Sequence, residues 1–294
     1  MTNGRPAALV DGRPARRGTL ARLRRRGQRL LVTRAEQDEA ELDRHLLTQP
    51  GGTRANVVAL ISPTGGVGKT TCAFLVASLL TTHLKLRTVA VDADPGFGSL
   101  AQLVPDAGRS ERGLADLLAD SDRLLTAAEL RPYVSRLPSG LHVLTARSGH
   151  QPKRPGPGEY GEAVALLSCF YDVVLLDLGT GLVGPLARFA ARRADQLILV
   201  TTPQRVASIA ALDALALLHH RERTTVAVNR SRAGAAAAVE LCLLAEHPHD
   251  VVTIPEDERL AAMLETSTYT LGALRPHIRT AIKRLGLAVA EQLV

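Results

Sequence analysis

Residues 56–82, NVVALISPTGGVGKTTCAFLVASLLTT, constrain this chain more than any other stretch. The run NVVALI is apolar without alternation, as a strand covered on both faces must be. A glycine-rich turn, TGGVGKTT, follows at once, and the segment 70–82 behind it reads as a helix. A strand, a tight turn and a helix in this order predict a βα unit and hence a parallel sheet with helices on both faces. Glycines in the turn let backbone N–H groups point at an anion, and the helix N-terminus adds its positive end. The stretch therefore predicts a phosphate-binding loop, with Lys69 pairing with the β- and γ-phosphates and the Thr70 hydroxyl on Mg²⁺. The general pattern G-x-x-x-x-G-K-[ST] is broken at its first glycine, which is Pro63.

The rest of the chain repeats the alternation. Buried-strand runs recur at TVAVD, LHVLT, DVVLLD, LILVTT, TTVAVN and VVTI, and Ala/Leu-rich helical segments at 184–193, 206–219 and 234–245 lie between several of them. The prolines of GHQPKRPGPGEY, residues 149–160, predict a surface loop. Two strands end in carboxylates. VAVDADP places Asp92 and Asp94 at the sheet edge, where alternate residues of an extended segment face the same side. DVVLLDLGTG ends in Asp177 with a glycine turn behind it, the layout in which a carboxylate holds Mg²⁺ and the turn senses the γ-phosphate.

The charge is unevenly spread. Residues 1–30 hold nine arginines against Asp11, whereas the whole chain carries +7, so the remainder is close to neutral. Residues 1–52 read as a basic, partly flexible N-terminal extension with one or two short helices between Thr19 and Leu47, and 53–294 as the main domain. The arginine-rich ARLRRRGQRLLV suits an acidic surface or a partner; without aromatics among the arginines it does not suit stacking on single-stranded nucleic acid. In the last helix Arg275, Arg279 and Lys283 recur every four residues as one stripe, beside an apolar face of Ile278, Ile282, Leu285 and Val289. Such a stripe would attract a duplex through counterion release. Three widely spaced cysteines without CxxC spacing read as core thiols, and no apolar run is long enough to span a bilayer. The expectation is a soluble cytoplasmic protein, with nucleoid association if the stripe binds DNA.

With GGVGKTT, VDADPGFGSLAQL, VVLLDLGTG, ILVTTPQRVASIAALDAL, VAVNR and TIPEDERLAAMLE in this order, residues 55 to 292 resemble the ParA/MinD family of deviant Walker A ATPases, and among them MinD-like proteins encoded near actinobacterial secretion loci. The resemblance implies a P-loop NTPase fold, ATP and Mg²⁺ as cofactors, and an ATP-bound homodimer that hydrolysis releases. It places Thr64, Gly65, Gly66, Val67, Gly68, Lys69, Thr70 and Thr71 on the phosphates, with Thr70, Asp92 and Asp177 on the metal. It assigns Asp94 to the attacking water, Asn229 to the adenine edge, and the loop from Ile254 through Pro255 to Asp257 to the flank of the base. The implied function is a slow, partner-stimulated ATP switch that positions, partitions or recruits a cargo on DNA or another surface, answering to an adaptor protein. ParA-type relatives bind DNA without sequence preference near the stripe of Arg275, Arg279 and Lys283.

The sequence departs from the family at Thr64, where the signature lysine reaches the partner subunit's phosphates. Either Lys153 or Arg154 of the proline-rich loop replaces that charge, or turnover is weak or absent. In the second case the chain is a nucleotide-binding scaffold for a secretion or division assembly.

Overall fold

Strand β1 (Asn56–Ile61) occupies the middle of an eight-stranded sheet and is buried at every position. Around it lie β2 (Thr88–Ala93), β3 (Ser135–Arg136), β4 (His142–Leu144), β5 (Val173–Leu178), β6 (Gln196–Thr201), β7 (Thr224–Ser231) and β8 (Val251–Pro255), in the order β3-β4-β2-β5-β1-β6-β7-β8. Every pairing is parallel except β3 with β4. The computed structural model describes residues 34–49, 52–93, 99–145, 155–182, 184–218, 223–232 and 251–293. Outside them lie Asp94, Lys153, Arg154, Cys242, the N-terminal arginines and the predicted helix 234–245.

The apolar runs become strands because successive side chains enter opposite cores. Val58 and Leu60 point to one core, Val57, Ala59 and Ile61 to the other. The first core is closed by α1 (Arg34–Thr48), α2 (Lys69–Thr82) and the two C-terminal helices, α8 (Glu258–Glu265) and α9 (Pro276–Ala290). The second is closed by α3 (Leu114–Ala119), α4 (Ala127–Leu130), α5 (Pro157–Leu167), α6 (Pro185–Arg193) and α7 (Arg205–Leu217). Among the described residues, no helix is long and apolar enough to cross a membrane.

Three expectations change. Of the segment expected as a surface loop, residues 149–154 lie outside the described residues, and a helix starts within it, after Gly156. Pro157 occupies the first turn of α5, where a missing N–H costs nothing, and the Gly156 N–H donates to Glu159 Oε2 at 2.6 Å. Tyr160 is then fully buried. Of the cysteines, Cys72 is a core thiol, and burial pushes its pKa up to about 12, but Cys169 is exposed.

The third change concerns the basic stripe. Helix α1, within the expected extension, lies against α9 and turns Glu39 and Asp43 toward it. Arg279 donates to both Glu39 oxygens at 2.7 and 2.6 Å, and Lys283 Nζ donates to Glu39 and Asp43 at 2.8 Å each. The Arg279 side chain is 21% exposed and that of Lys283 5%. Arg275 pairs with Asp257. The stripe expected on DNA is thus engaged within the chain: the acidic helix pairs with Arg279 and Lys283 and shields them from solvent, while Arg275, half exposed, is held by Asp257.

Candidate functional site

The sheet order reverses at β1. The chain leaves β1 for β2, across β5, and later crosses from β5 over β1 to β6. At such a switch point the carboxyl ends of the strands open a crevice, where α/β sheets bind ligands. The glycine loop runs through this point, and a cavity of about 450 Å³ lies beside it, lined by Thr64, Gly65, Gly66 and Val67 from the loop and by Thr202, Arg230 and Arg232 opposite.

The loop is held from three sides. Ser62 Oγ donates to the Thr64 carbonyl at 2.6 Å and accepts from the Thr64 N–H at 3.2 Å. The Gly181 N–H, in the turn behind Asp177, donates to the Ser62 carbonyl at 2.9 Å. Asn229 Nδ2 donates to the Val67 carbonyl at 2.9 Å in a buried bond. Gly68 is in the left-handed region at φ 86°, and a Cβ there would lie 2.2 Å from Asn229 Nδ2. Only glycine lets Asn229 and the loop approach this closely. Gly66 is also left-handed, at φ 72°, with open space where a Cβ would stand.

Two features suit a phosphate here. Gly68 has no side chain to cap α2, so no side-chain cap meets the first N–H groups of a fourteen-residue helix. Beneath them Lys69 is buried, with Nζ 3.6 Å from Asp177 Oδ1. That separation is too long for a hydrogen bond and leaves the ammonium able to serve an incoming oxyanion. Asp92 and Asp177 are fully buried and stand opposite each other in the β2–β5 register. Side chains at paired positions of parallel strands share a face, so two carboxylates meet below the loop, where a divalent cation would balance them. The loop, Lys69 and the paired carboxylates thus fit a nucleotide with Mg²⁺.

The structure brings Lys69, Asp92, Asp177, Asn229 and the loop residues together. It assigns other work to Asp257, whose Oδ1 accepts the Leu260 N–H at 2.7 Å as the cap of α8, while Oδ2 takes Arg275. Burial acts to raise the Asp257 carboxyl, but the Leu260 N–H and Arg275 outweigh it and hold the pKa below its ordinary value. Both oxygens of this carboxylate are thus engaged within the fold. Pro255, by contrast, ends β8 at a second open cleft that Arg232, Glu256 and His277 share.

Sequence reasoning missed Ser62, Thr180 and Arg230. Ser62 shapes the loop from just outside its motif, and Thr180 Oγ1 would meet a Cβ on Gly65 at 3.6 Å. Arg230 is exposed at the cavity with φ 53°, a left-handed conformation uncommon outside glycine. Its position directly after Asn229 was the only signal available.

This geometry agrees with relatives of known kind. The chain is 28% identical over 266 residues to the ESX-1 secretion-associated protein EspI of Mycobacterium tuberculosis, an alignment covering 86% of this chain but 39% of that protein. The crystal structure of a ParA family ATPase from Chlorobium tepidum superposes with a TM-score of 0.65 at 21% identity, covering 77% of this chain and 97% of that one. The septum site-determining protein MinD from Pyrococcus horikoshii, complexed with Mg-ADP, superposes with a TM-score of 0.59 at 17% identity, covering 79% and 94%. At these identities the two structures establish a shared fold. The family model describing the CobQ/CobB/MinD/ParA nucleotide binding domain matches residues 58–268, which takes in the loop, Lys69, both buried aspartates and Asn229. The chain belongs to the CobQ/CobB/MinD/ParA nucleotide binding domain family.

Proposed function

We propose that this chain binds ATP with Mg²⁺ at the glycine loop and hydrolyses it slowly, as a dimerisation switch that recruits or positions a cargo. The observation that carries the reading is the buried group of Lys69, Asp177 and Asp92 beneath the uncapped start of α2. In this reading the N–H groups from Gly65 to Thr71 and the Lys69 ammonium hold the phosphates. The Thr70 hydroxyl, Asp92 and Asp177 hold Mg²⁺, and Asn229 and Pro255 flank the base. Bound Mg²⁺ supplies positive charge at the phosphoryl oxygens. Asp94, outside the described residues, orients the attacking water, so Asp94→Ala traps the ATP-bound form.

A face for the second copy lies next to the loop. Helix α7 exposes Val206 (76%) and Ile209 (50%), one turn apart, and Val206 also lines the loop cavity. Exposed apolar side chains beside a ligand site suit an interface that forms when the ligand is present. The likeness to a secretion-associated protein favours a cargo within a secretion assembly, as against a DNA surface.

A second reading rests on Thr64. Its Oγ1 is buried and makes no hydrogen bond among the described residues, and a hydroxyl cannot supply the charge that phosphoryl transfer needs. Unless Lys153 or Arg154 provides it, the chain is a nucleotide-binding scaffold with little turnover. Light scattering of the protein with no nucleotide, ADP or ATP plus Mg²⁺, with phosphate release followed in parallel, separates the readings. An ATP-dependent dimer with turnover supports the switch, whereas a mass indifferent to nucleotide and no phosphate release supports the scaffold.

A further inference from the structure

A cleft of about 490 Å³ lies along α2 from Phe74 to the C-cap His83, away from the helix's phosphate end. This volume is ample for a small organic molecule. It shares no lining residue with the loop cavity. Ser78 is nine residues along α2 from Lys69, about 14 Å at the rise of a helix.

The lining is unlike a phosphate site. Among the described residues it contains no Lys, Arg, Asp or Glu. Phe74, Leu79 and Leu271 form apolar wall, and Tyr269 meets Phe74 edge-to-face with ring centroids 5.4 Å apart. Ser78, Thr82 and His83 supply polar groups from α2 and its C-cap, and Ser139, Ser267, Thr268 and Thr270 add neutral ones. The Ser78 hydroxyl is buried and has no hydrogen-bond partner among the described residues.

Proton counting fixes the state of His83. The Thr82 hydroxyl has one hydrogen and donates it to the Ser78 carbonyl at 2.7 Å. His83 Nδ1, 3.0 Å from the same oxygen, must then be the donor to it. That fixes the Nδ1–H tautomer and leaves Nε2 as an acceptor. Burial, with the Lys283 charge second and Lys85 after it, lowers the His83 pKa against the opposing pull of Asp43 and Glu39, so the ring is neutral at pH 7.

We propose that this cleft is a second ligand site, separate from the nucleotide site, for a small neutral ring compound carrying one O–H or N–H donor. The ring packs against Phe74 and Tyr269, and the donor meets His83. An anion finds no cation in the lining, and a purely apolar ligand leaves the Ser78 and His83 groups unsatisfied.

The test is an NMR titration of the full chain with 4-methylphenol, in the absence and presence of ADP and Mg²⁺, with toluene as the donor-free control. The expected result is saturable binding with Kd on the order of 1 mM or tighter, retained when ADP is bound, and weaker binding of toluene. His83→Phe should weaken 4-methylphenol about tenfold, the loss of one hydrogen bond, and leave toluene unchanged. Ser78→Met should fill the cleft and abolish both; if that variant fails to fold, Leu271→Trp blocks the same cleft from its partly exposed rim. Absence of saturable binding, displacement by ADP, equal affinity for toluene, or binding unaffected by Leu271→Trp would each overturn the proposal.

Discussion

Asp92 and Asp177 stand directly opposite each other on adjacent parallel strands, both without solvent exposure, and the Lys69 ammonium lies 3.6 Å from Asp177. Two carboxylates at one buried edge repel each other in a medium that screens poorly. The arrangement favours whatever brings a divalent cation to the same place.

Asp177→Asn should therefore leave ADP binding partly intact and remove its dependence on Mg²⁺. In the native chain, ADP with Mg²⁺ at about 100 times Kd stabilises by about 2.7 kcal/mol, which raises Tm by several degrees. Melting curves with ADP, with and without Mg²⁺, should coincide in the variant and separate in the native protein.

Lys69→Ala should lower nucleotide affinity on the order of 100-fold, the scale seen when one preorganised donor to a phosphoryl or oxyanion oxygen is lost. Titration of a fluorescent ADP analogue reads this directly. Lys69→Arg should not restore it, because the lysine is buried against Asp177 and the larger guanidinium has no room.

Gly68→Ala and Gly66→Ala separate two costs. Both positions are left-handed, but only at Gly68 does a Cβ collide with Asn229. Gly66→Ala should cost about 1 kcal/mol, the backbone penalty alone, and Gly68→Ala about 3 kcal/mol, with loss of nucleotide binding. Urea denaturation gives both values. Asn229→Ala should cost about 1 kcal/mol, and in that background Gly68→Ala should become milder.

Glu39→Gln should destabilise by on the order of 3 kcal/mol, since it takes from Arg279 its carboxylate partner, leaving the Leu274 carbonyl, and leaves Lys283 with Asp43 alone. The hydrogen bond from Arg279 is the main cause that lowers Glu39 from 4.5 to about 2, against the desolvation that raises it, with Lys283 adding to the lowering. A depressed carboxylate contributes stability that is present above its unfolded pKa and is lost as pH falls through the folded one. The gap in Tm between the native chain and the variant should thus be constant above pH 5 and close between about pH 4.5 and 2.

Much of the frame is legible in the residues because its causes are local. An unbroken apolar run such as NVVALI, six residues long and followed by a glycine turn, suits a covered strand, and the glycines of TGGVGKTT let its N–H groups turn toward an anion. The runs around Val91 and Leu176 likewise become adjacent strands, and the run around Val228 a strand two places beyond β1, and their carboxyl ends form the site. Strand β3, two residues long and antiparallel, is too short to leave a periodic trace. The start of α5 is hidden because its signal, Pro157 after Gly156, is also the signal of a loop.

The cations of the last helix show where local reading stops. A spacing of four places Arg275, Arg279 and Lys283 along one side of α9, and that much the sequence determined by itself. Whether the side faces DNA, solvent or protein depends on Glu39 and Asp43, some 240 residues earlier, and on Asp257, 18 residues before Arg275. Charge carries no address in one dimension. Only the docking of α1 on α9 brings the acids within hydrogen-bond reach, and there the pairing in a poorly screening interior outweighs exposure to water. By the same physics, the meeting of Asp92 with Asp177 was decided by strand register, and the meeting of Asn229 with Gly68 by a sheet that joins positions 161 residues apart.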